Sequence, residues 1–283
     1  MKFNVIGAGR LGKNIAQALS STKLITLDSI CNLSLNSSRQ ACHEINMGTA
    51  VSSLLELPKV DVTWICSNDD AIAPIVAILA EHSVLKPDSL VIHCSGALNS
   101  TVLNPLKEQG CSISSFHPLK AFKTGYLDAH AFDQINCVME GDPLACTWLS
   151  AIFEVLGAHL ISILPEGKTL YHAAATIASN YLITLAKSSE ELLLQAGMTQ
   201  EQSRAMICHL MRGTINNLEQ TTQIAEALTG PLARGDALTL SLHLQAIKNP
   251  TLNELYKKAG LATLAMTQLS AEKKQRVQSI LED

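Results

Sequence analysis

The chain has 283 residues, 47% hydrophobic and 16% charged, which is enough apolar material for a core in about two domains and too much for a disordered or coiled-coil protein. A net charge of -4 with scattered lysines and arginines leaves no electrostatic footprint for nucleic acid. No stretch is apolar enough for long enough to span a bilayer, and the sequence opens on a strand without the apolar run of a leader, so a cytoplasmic protein with no membrane partner is expected.

The first strand and the turn after it carry the most information. Val5 and Ile6 lead into Gly7, Gly9 and Gly12, spaced G-x-G-x-x-G, and Leu11, Ile15, Ala18 and Leu19 then recur on one helix face. In this pattern the first glycine permits a tight turn, the second lets a pyrophosphate approach the backbone, and the third lets helix and strand pack closely. The open N–H groups at the helix start then face the phosphates. Gly7, Ala8, Gly9, Arg10, Leu11 and Gly12 are therefore the expected dinucleotide loop.

Strands follow at 24–31, weakly at 49–51, and at 60–66, where VDVTWIC is β-branched or apolar nearly throughout, as a strand buried on both faces requires. Helices are expected at 36–46 and 71–82, further strands at 90–94 and 112–116, and two more strands at 136–140 and 159–164 around a helix at 144–156. Beyond Pro165 only helical periodicity remains, at 168–196, 200–220, 223–229, 237–248, 252–267 and 271–281. The longest carries Leu170, Ala174, Ile177, Tyr181, Leu185 and Leu192 on one stripe and ends at Gly197. The order implies an α/β domain with a parallel sheet over 1–164 and an all-α domain over 165–283, serving substrate binding or dimerisation.

Eight cysteines, at 31, 42, 66, 94, 111, 137, 146 and 208, form no C-x-x-C pair, and most sit in apolar runs, so buried free thiols are expected. His93, His117, His172 and His243 show no H-x-x-x-H spacing, and no metal is expected.

Counting about 20 residues from Gly12, where a carboxylate would select NAD, arrives at Asn32, which is not acidic. Asn32, Ser34 and Arg39 in the following loop offer donors and a cation for a 2′-phosphate, so NADP is expected, with NAD the second choice; the same residues also suit a loop that caps the next helix. Ser67, Asn68 and Asp69, after the strand at 60–66, should border the cofactor.

Ser95 and His117 end two successive strands, where ligands of an open parallel sheet bind. His117 is the expected general acid/base and Ser95 its orienter. Along the long helix Lys168, His172, Thr176 and Asn180 recur every fourth residue among small apolar neighbours, which suits either a solvated face or a helix against a ligand. In GPLARGD, Asp236 reads as a helix N-cap and Arg234 as a fixed cation for a substrate carboxylate or phosphate. Lys120 and Asn180 complete the expected substrate contacts.

The succession GAGRLG, SNDDAI, HCSGAL, SFHPLKAF, YHAAATIASNYL and LTGPLARGDALTLSLHL resembles a bacterial family with a Rossmann-like NADP-binding domain and a helical C-terminal domain of unknown function. That family is similar in architecture to the 6-phosphogluconate dehydrogenase superfamily, with its β-hydroxyacid dehydrogenases, pyrroline-carboxylate reductases and prephenate dehydrogenases. The resemblance to prephenate dehydrogenases, which have a Ser after one strand and a His-Pro after the next, implies the same roles for Ser95 and His117. β-Hydroxyacid dehydrogenases use a lysine with an asparagine one turn later on the long helix. Here His172 is followed by Thr176, with Asn180 one turn further, so His172 would stand in the lysine's place. The resemblance implies an oxidoreductase acting on the alcohol or carbonyl of a small anionic substrate, and a homodimer built by the helical domain. The alternative is a non-catalytic NAD(P)-binding sensor or partner-binding protein on the same fold.

Overall fold

The computed structural model describes residues 1–122, 125 and 127–282, and the chain packs as two compact units, Met1–Ala178 and Ser179–Asp283. In the first, the described residues form one eight-stranded sheet: β1 (Lys2–Ile6), β2 (Thr26–Cys31), β3 (Thr49–Val51), β4 (Val62–Ile65), β5 (Leu90–His93), β6 (Ser112–Pro118), β7 (Asn136–Gly141) and β8 (His159–Ser162). Their spatial order is β3-β2-β1-β4-β5-β6-β7-β8. All pairings are parallel except β6 with β7, so β7 and β8 run against the other six. The turn from β1 into the next helix and the crossover from β3 to β4 leave the carboxyl ends of β1 and β4 side by side, a switch point that opens a crevice.

The helices of this unit are α1 (Arg10–Ser21), α2 (Leu35–Ile45), α3 (Asp69–Glu81), α4 (Asn104–Lys107) and α5 (Pro143–Val155). Alternation along the strands divides the core between the two sheet faces. Leu90 and Ile92 of β5 join Val62 and Trp64 of β4 in a cluster with α1 and α5, whereas Val91 and Ile65 join Ile72, Val76 and Leu79 of α3. At the centre of the first cluster Trp64 meets Phe116 and Phe153 edge-on, with centroids at 5.6 and 6.0 Å. The strand at 60–66 was expected to be buried on both faces, and Val62–Ile65 is.

The long helix α6 (Lys168–Gln195) begins in the first unit and continues into the second. The second unit adds α7 (Gln200–Glu219), α8 (Gly230–Arg234), α9 (Ala237–Ala246), α10 (Pro250–Ala265) and α11 (Ala271–Glu282) around Leu240, Leu264, Val277 and Leu281. Local chemistry sets its boundaries. Thr199 and Gln202 form a capping box, Asn249 accepts from Thr251 and Leu252 N–H ahead of Pro250, and Asp236 accepts from Thr239. The segment expected as a helix at 223–229 is a 3₁₀ turn, Ile224–Ala227. Among the described residues no helix is long and apolar enough to cross a membrane.

Phe116 has no exposed surface and stacks at 4.1 Å on Phe153, so Phe116→Ala should destabilise the first unit by about 3–5 kcal/mol. Urea unfolding followed by Trp64 fluorescence checks this; a change below about 1 kcal/mol would show that the aromatic cluster is not the centre of the core.

Candidate functional site

The glycine turn is built by sterics and one side chain. Gly7 has φ +84°, a conformation L-residues rarely adopt, and a Cβ there would lie 2.6 Å from Ser67 Oγ. A Cβ on Gly12 would lie 2.7 Å from the Gly7 carbonyl oxygen, so close helix–strand approach demands glycine. At Gly9 a Cβ would meet nothing within 4 Å, which leaves the space above the turn open. Asn32 holds the turn in place: its Oδ1 accepts from Ala8 N–H at 2.7 Å and its Nδ2 donates to Ser37 O at 3.0 Å.

A cleft of about 710 Å³ runs from this turn across the ends of β1, β2 and β4. Gly7, Ala8, Gly9, Asn32, Ser67 and Asn68 line it. Arg10 and Leu11 open α1 beside it. A helix start leaves four N–H groups without intrahelical acceptors; that of Gly9 turns back to Gly7 O at 2.8 Å, and those of Arg10, Leu11 and Gly12 have no backbone partner among the described residues. Ser34 is the N-cap of α2 in a capping box with Ser37, so the capping reading of that loop holds for it. Arg39 is exposed on α2, and neither Ser34, Arg39 nor Asp69 is among the described residues lining the cleft. The walls also include Ser37, Gln40, Ser52, Ser53 and a Lys13–Glu44 ion pair. Sequence reasoning picked out Ser37 as a loop donor but missed the others; the signal for Ser52 and Ser53 was their place directly after a strand, β3.

A second cluster forms where β5 and β6 end. His117, at the end of β6, shares a 2.8 Å hydrogen bond through Nδ1 with the Tyr171 hydroxyl. His172, the next residue on α6, sets its ring edge-on to His117 with centroids 5.5 Å apart. Gly96 makes this possible: a Cβ there would lie 2.4 Å from His172 Nδ1 and 3.0 Å from His117 Nε2. Tyr171, not Ser95, is thus the partner of the His117 ring. Ser95 Oγ accepts instead from Ala97 and Leu98 N–H, at 3.1 and 2.9 Å, because a hydroxyl before a turn is captured by its own backbone.

Burial controls the protonation of these rings. Desolvation, reinforced by the charge of Lys168 and by His172, brings His117 down to about 4. Desolvation likewise brings the buried His93 to about 4, and burial pushes the Tyr171 hydroxyl up to about 12. At neutral pH all three are uncharged. His172 Nδ1 is buried with no hydrogen-bond partner among the described residues, which favours the tautomer with its hydrogen on Nε2.

Lys120 donates to Ala131 O at 2.7 Å, and Asn180 and Arg234 are exposed residues of the second unit. Among the described residues no group of three His, Cys, Asp or Glu side chains is placed to hold a metal.

This glycine turn, open cleft and strand order place the chain in the class of Rossmann-like proteins, and the Rossmann-like family description matches residues 1–118. The domain of unknown function DUF2520 matches residues 135–263, so the chain carries in sequence the two parts that the resemblance implied. Protein TM1727 from Thermotoga maritima is 25% identical over 94% of this chain and 98% of its own, with a TM-score of 0.73. A Bacteroides fragilis protein, BF3122, provisionally described as an NADP oxidoreductase, is 20% identical over 93% of this chain and 98% of its own, with a TM-score of 0.75. Plasmodium falciparum pyrroline carboxylate reductase, whose structure has NADP bound, is 14% identical over 94% and 98%, with a TM-score of 0.58, a likeness of fold. No curated protein is significantly similar to the chain.

The histidines make stability depend on pH. His93 and His117 have folded-state values below the ordinary 6.5, so the unfolded chain takes up protons first as pH falls. The stability of the neutral rings is full above about pH 6.5 and is lost between there and about 4, on the order of 3 kcal/mol for each ring. Urea titrations should show midpoints falling through this window and a shallower fall in His93→Gln; a midpoint independent of pH would contradict neutral burial.

Proposed function

We propose that the protein is an NAD(P)-dependent oxidoreductase, preferring NADP, that acts on a CH–OH group or the corresponding carbonyl of a small anionic substrate. The observation that carries this is the open cleft at the glycine turn, where Gly9 leaves room and α1 presents N–H groups with no backbone partner among the described residues. Arg10, Leu11 and Gly12 would hold the diphosphate through these donors, while Ser37 and Gln40 would contact the adenosine end. When bound, the nicotinamide supplies or accepts hydride.

Support for NADP comes from Asn32. It stands at the end of β2 where a carboxylate would bond a free ribose, and both ends of its amide are already used in holding the loop. At the chemical end, Ser67 and Asn68 would border the cofactor. His117 would exchange a proton with the substrate oxygen, held by Tyr171, with His172 as a second ring donor. Calorimetric titration should give micromolar binding of NADPH and binding of NADH weaker by about tenfold or more. Failure of both to bind would overturn the reading, and equal binding would overturn the NADP preference.

The chain is further proposed to work as a homodimer through its helical part. Ile183 and Leu210 are 69% and 62% exposed on α6 and α7, with Tyr181, Leu185 and Ile215 exposed near them in sequence, more apolar surface than solvent-facing helices carry. Light scattering should give about twice the 30.4 kDa chain mass, and Leu210→Glu should shift it toward one chain; a monomer at micromolar concentration would contradict this.

A further inference from the structure

Lys168 is the anomaly of the first unit. It opens α6, its residue is 1% exposed, and its Nζ is buried with no hydrogen-bond partner among the described residues. A buried, unpaired ammonium is costly and is seldom retained without a task. Its surroundings define that task. Nζ lies 5.7 Å from the centre of the Tyr171 ring, within cation–π range, and the Tyr171 hydroxyl is the group bonded to His117 Nδ1.

We propose that Lys168 is a positioning residue of this site: its ammonium, set over the Tyr171 ring, fixes the Tyr171 O–H as donor to His117 Nδ1, so that neutral His117 presents Nε2–H to a substrate oxygen. This deepens the oxidoreductase reading and rests on it for the substrate, though not for the hydrogen-bond arrangement.

Two physical arguments lead there. A cation over a phenol stabilises negative charge on it and so favours the phenol as donor rather than acceptor. The same cation opposes a second proton on His117, and its effect on that ring and on His93 is to keep both neutral. The other charged or titratable groups around it are Glu140 on β7, Cys94 after β5, Asp69 at the start of α3 and His172 on α6. Glu140 is itself engaged, accepting from Ser100 N–H at 2.8 Å and from Ser100 Oγ at 2.6 Å, so it offsets the charge of Lys168 from a distance without an ion pair. Burial lowers the Lys168 ammonium from its ordinary value while Glu140, Cys94 and Asp69 raise it.

The test is ¹⁵N NMR of histidine-labelled protein, which distinguishes the two tautomers and follows each ring with pH. In the wild-type chain His117 should be the Nε2–H tautomer and stay neutral between about pH 6 and 8. In Lys168→Met its titration midpoint should rise by about one pH unit or more and the tautomers should mix, while thermal stability is equal or higher because a buried unpaired charge has been removed. In Tyr171→Phe the tautomers should mix with Lys168 still present. An Nδ1–H tautomer in the wild-type chain, or unchanged His117 signals in a folded Lys168→Met protein, would overturn the proposal. If Lys168→Met does not fold, the wild-type tautomer and the Tyr171→Phe spectrum decide it. None of these signals requires a dinucleotide, so a failed NADPH titration would sink the oxidoreductase reading and leave this result separate.

Discussion

A side chain at position 96 would have to displace two imidazole rings. The turn after β5 passes so close to two imidazole rings that even a methyl group would press on His172 Nδ1 and His117 Nε2. That close approach brings the end of β6 and the first turns of α6 together over the sheet, and the chemistry of the site depends on it. Once His117, Tyr171 and His172 share this space, burial keeps His117 and Tyr171 neutral, and the hydrogen-bond accounting of a dry interior settles where their hydrogens lie.

The glycine turn follows the same logic at the other end of the switch point. Gly7 and Gly12 are closed against backbone and Ser67, while Gly9 is left open. Asn32, a side chain from the neighbouring strand end, does the holding. Each half of the region thus has a rigid part made by close packing and an open part facing a ligand. This pairing of steric closure with exposed donors is what a preorganised site requires, since the donors need no reorganisation when a charged group arrives.

Most of the fold was legible because period-2 burial and period-3.6 stripes are direct consequences of backbone geometry. Leu90–His93 and Val62–Ile65, buried throughout, stood out instead as short β-branched or apolar runs, to within a residue or two. Strand direction could not be read, because alternation is the same whichever way a strand runs, and so the reversal at β7 is not written in it. At the site, the glycine loop and Asn32 stood out through spacing. Ser95 was read as the orienter because a hydroxyl and an imidazole at successive strand ends can meet; local backbone capture of the Ser95 hydroxyl left that place to Tyr171. Tyr171 and the burial of Lys168 were invisible to a stripe drawn at every fourth residue, since one belongs to the adjacent position and the other is buried by strands far away in sequence.

The central claim is that the strand ends around Gly9 and those around His117 serve one ligand. A crystal structure of the NADPH complex tests it most directly. The account predicts the diphosphate against the N–H groups of Arg10 and Leu11, and the nicotinamide C4 directed at His117 so that a substrate carbon between them would lie about 3–4 Å from C4. A dinucleotide seated away from the glycine turn, or a nicotinamide turned from the ends of β5 and β6, would contradict it.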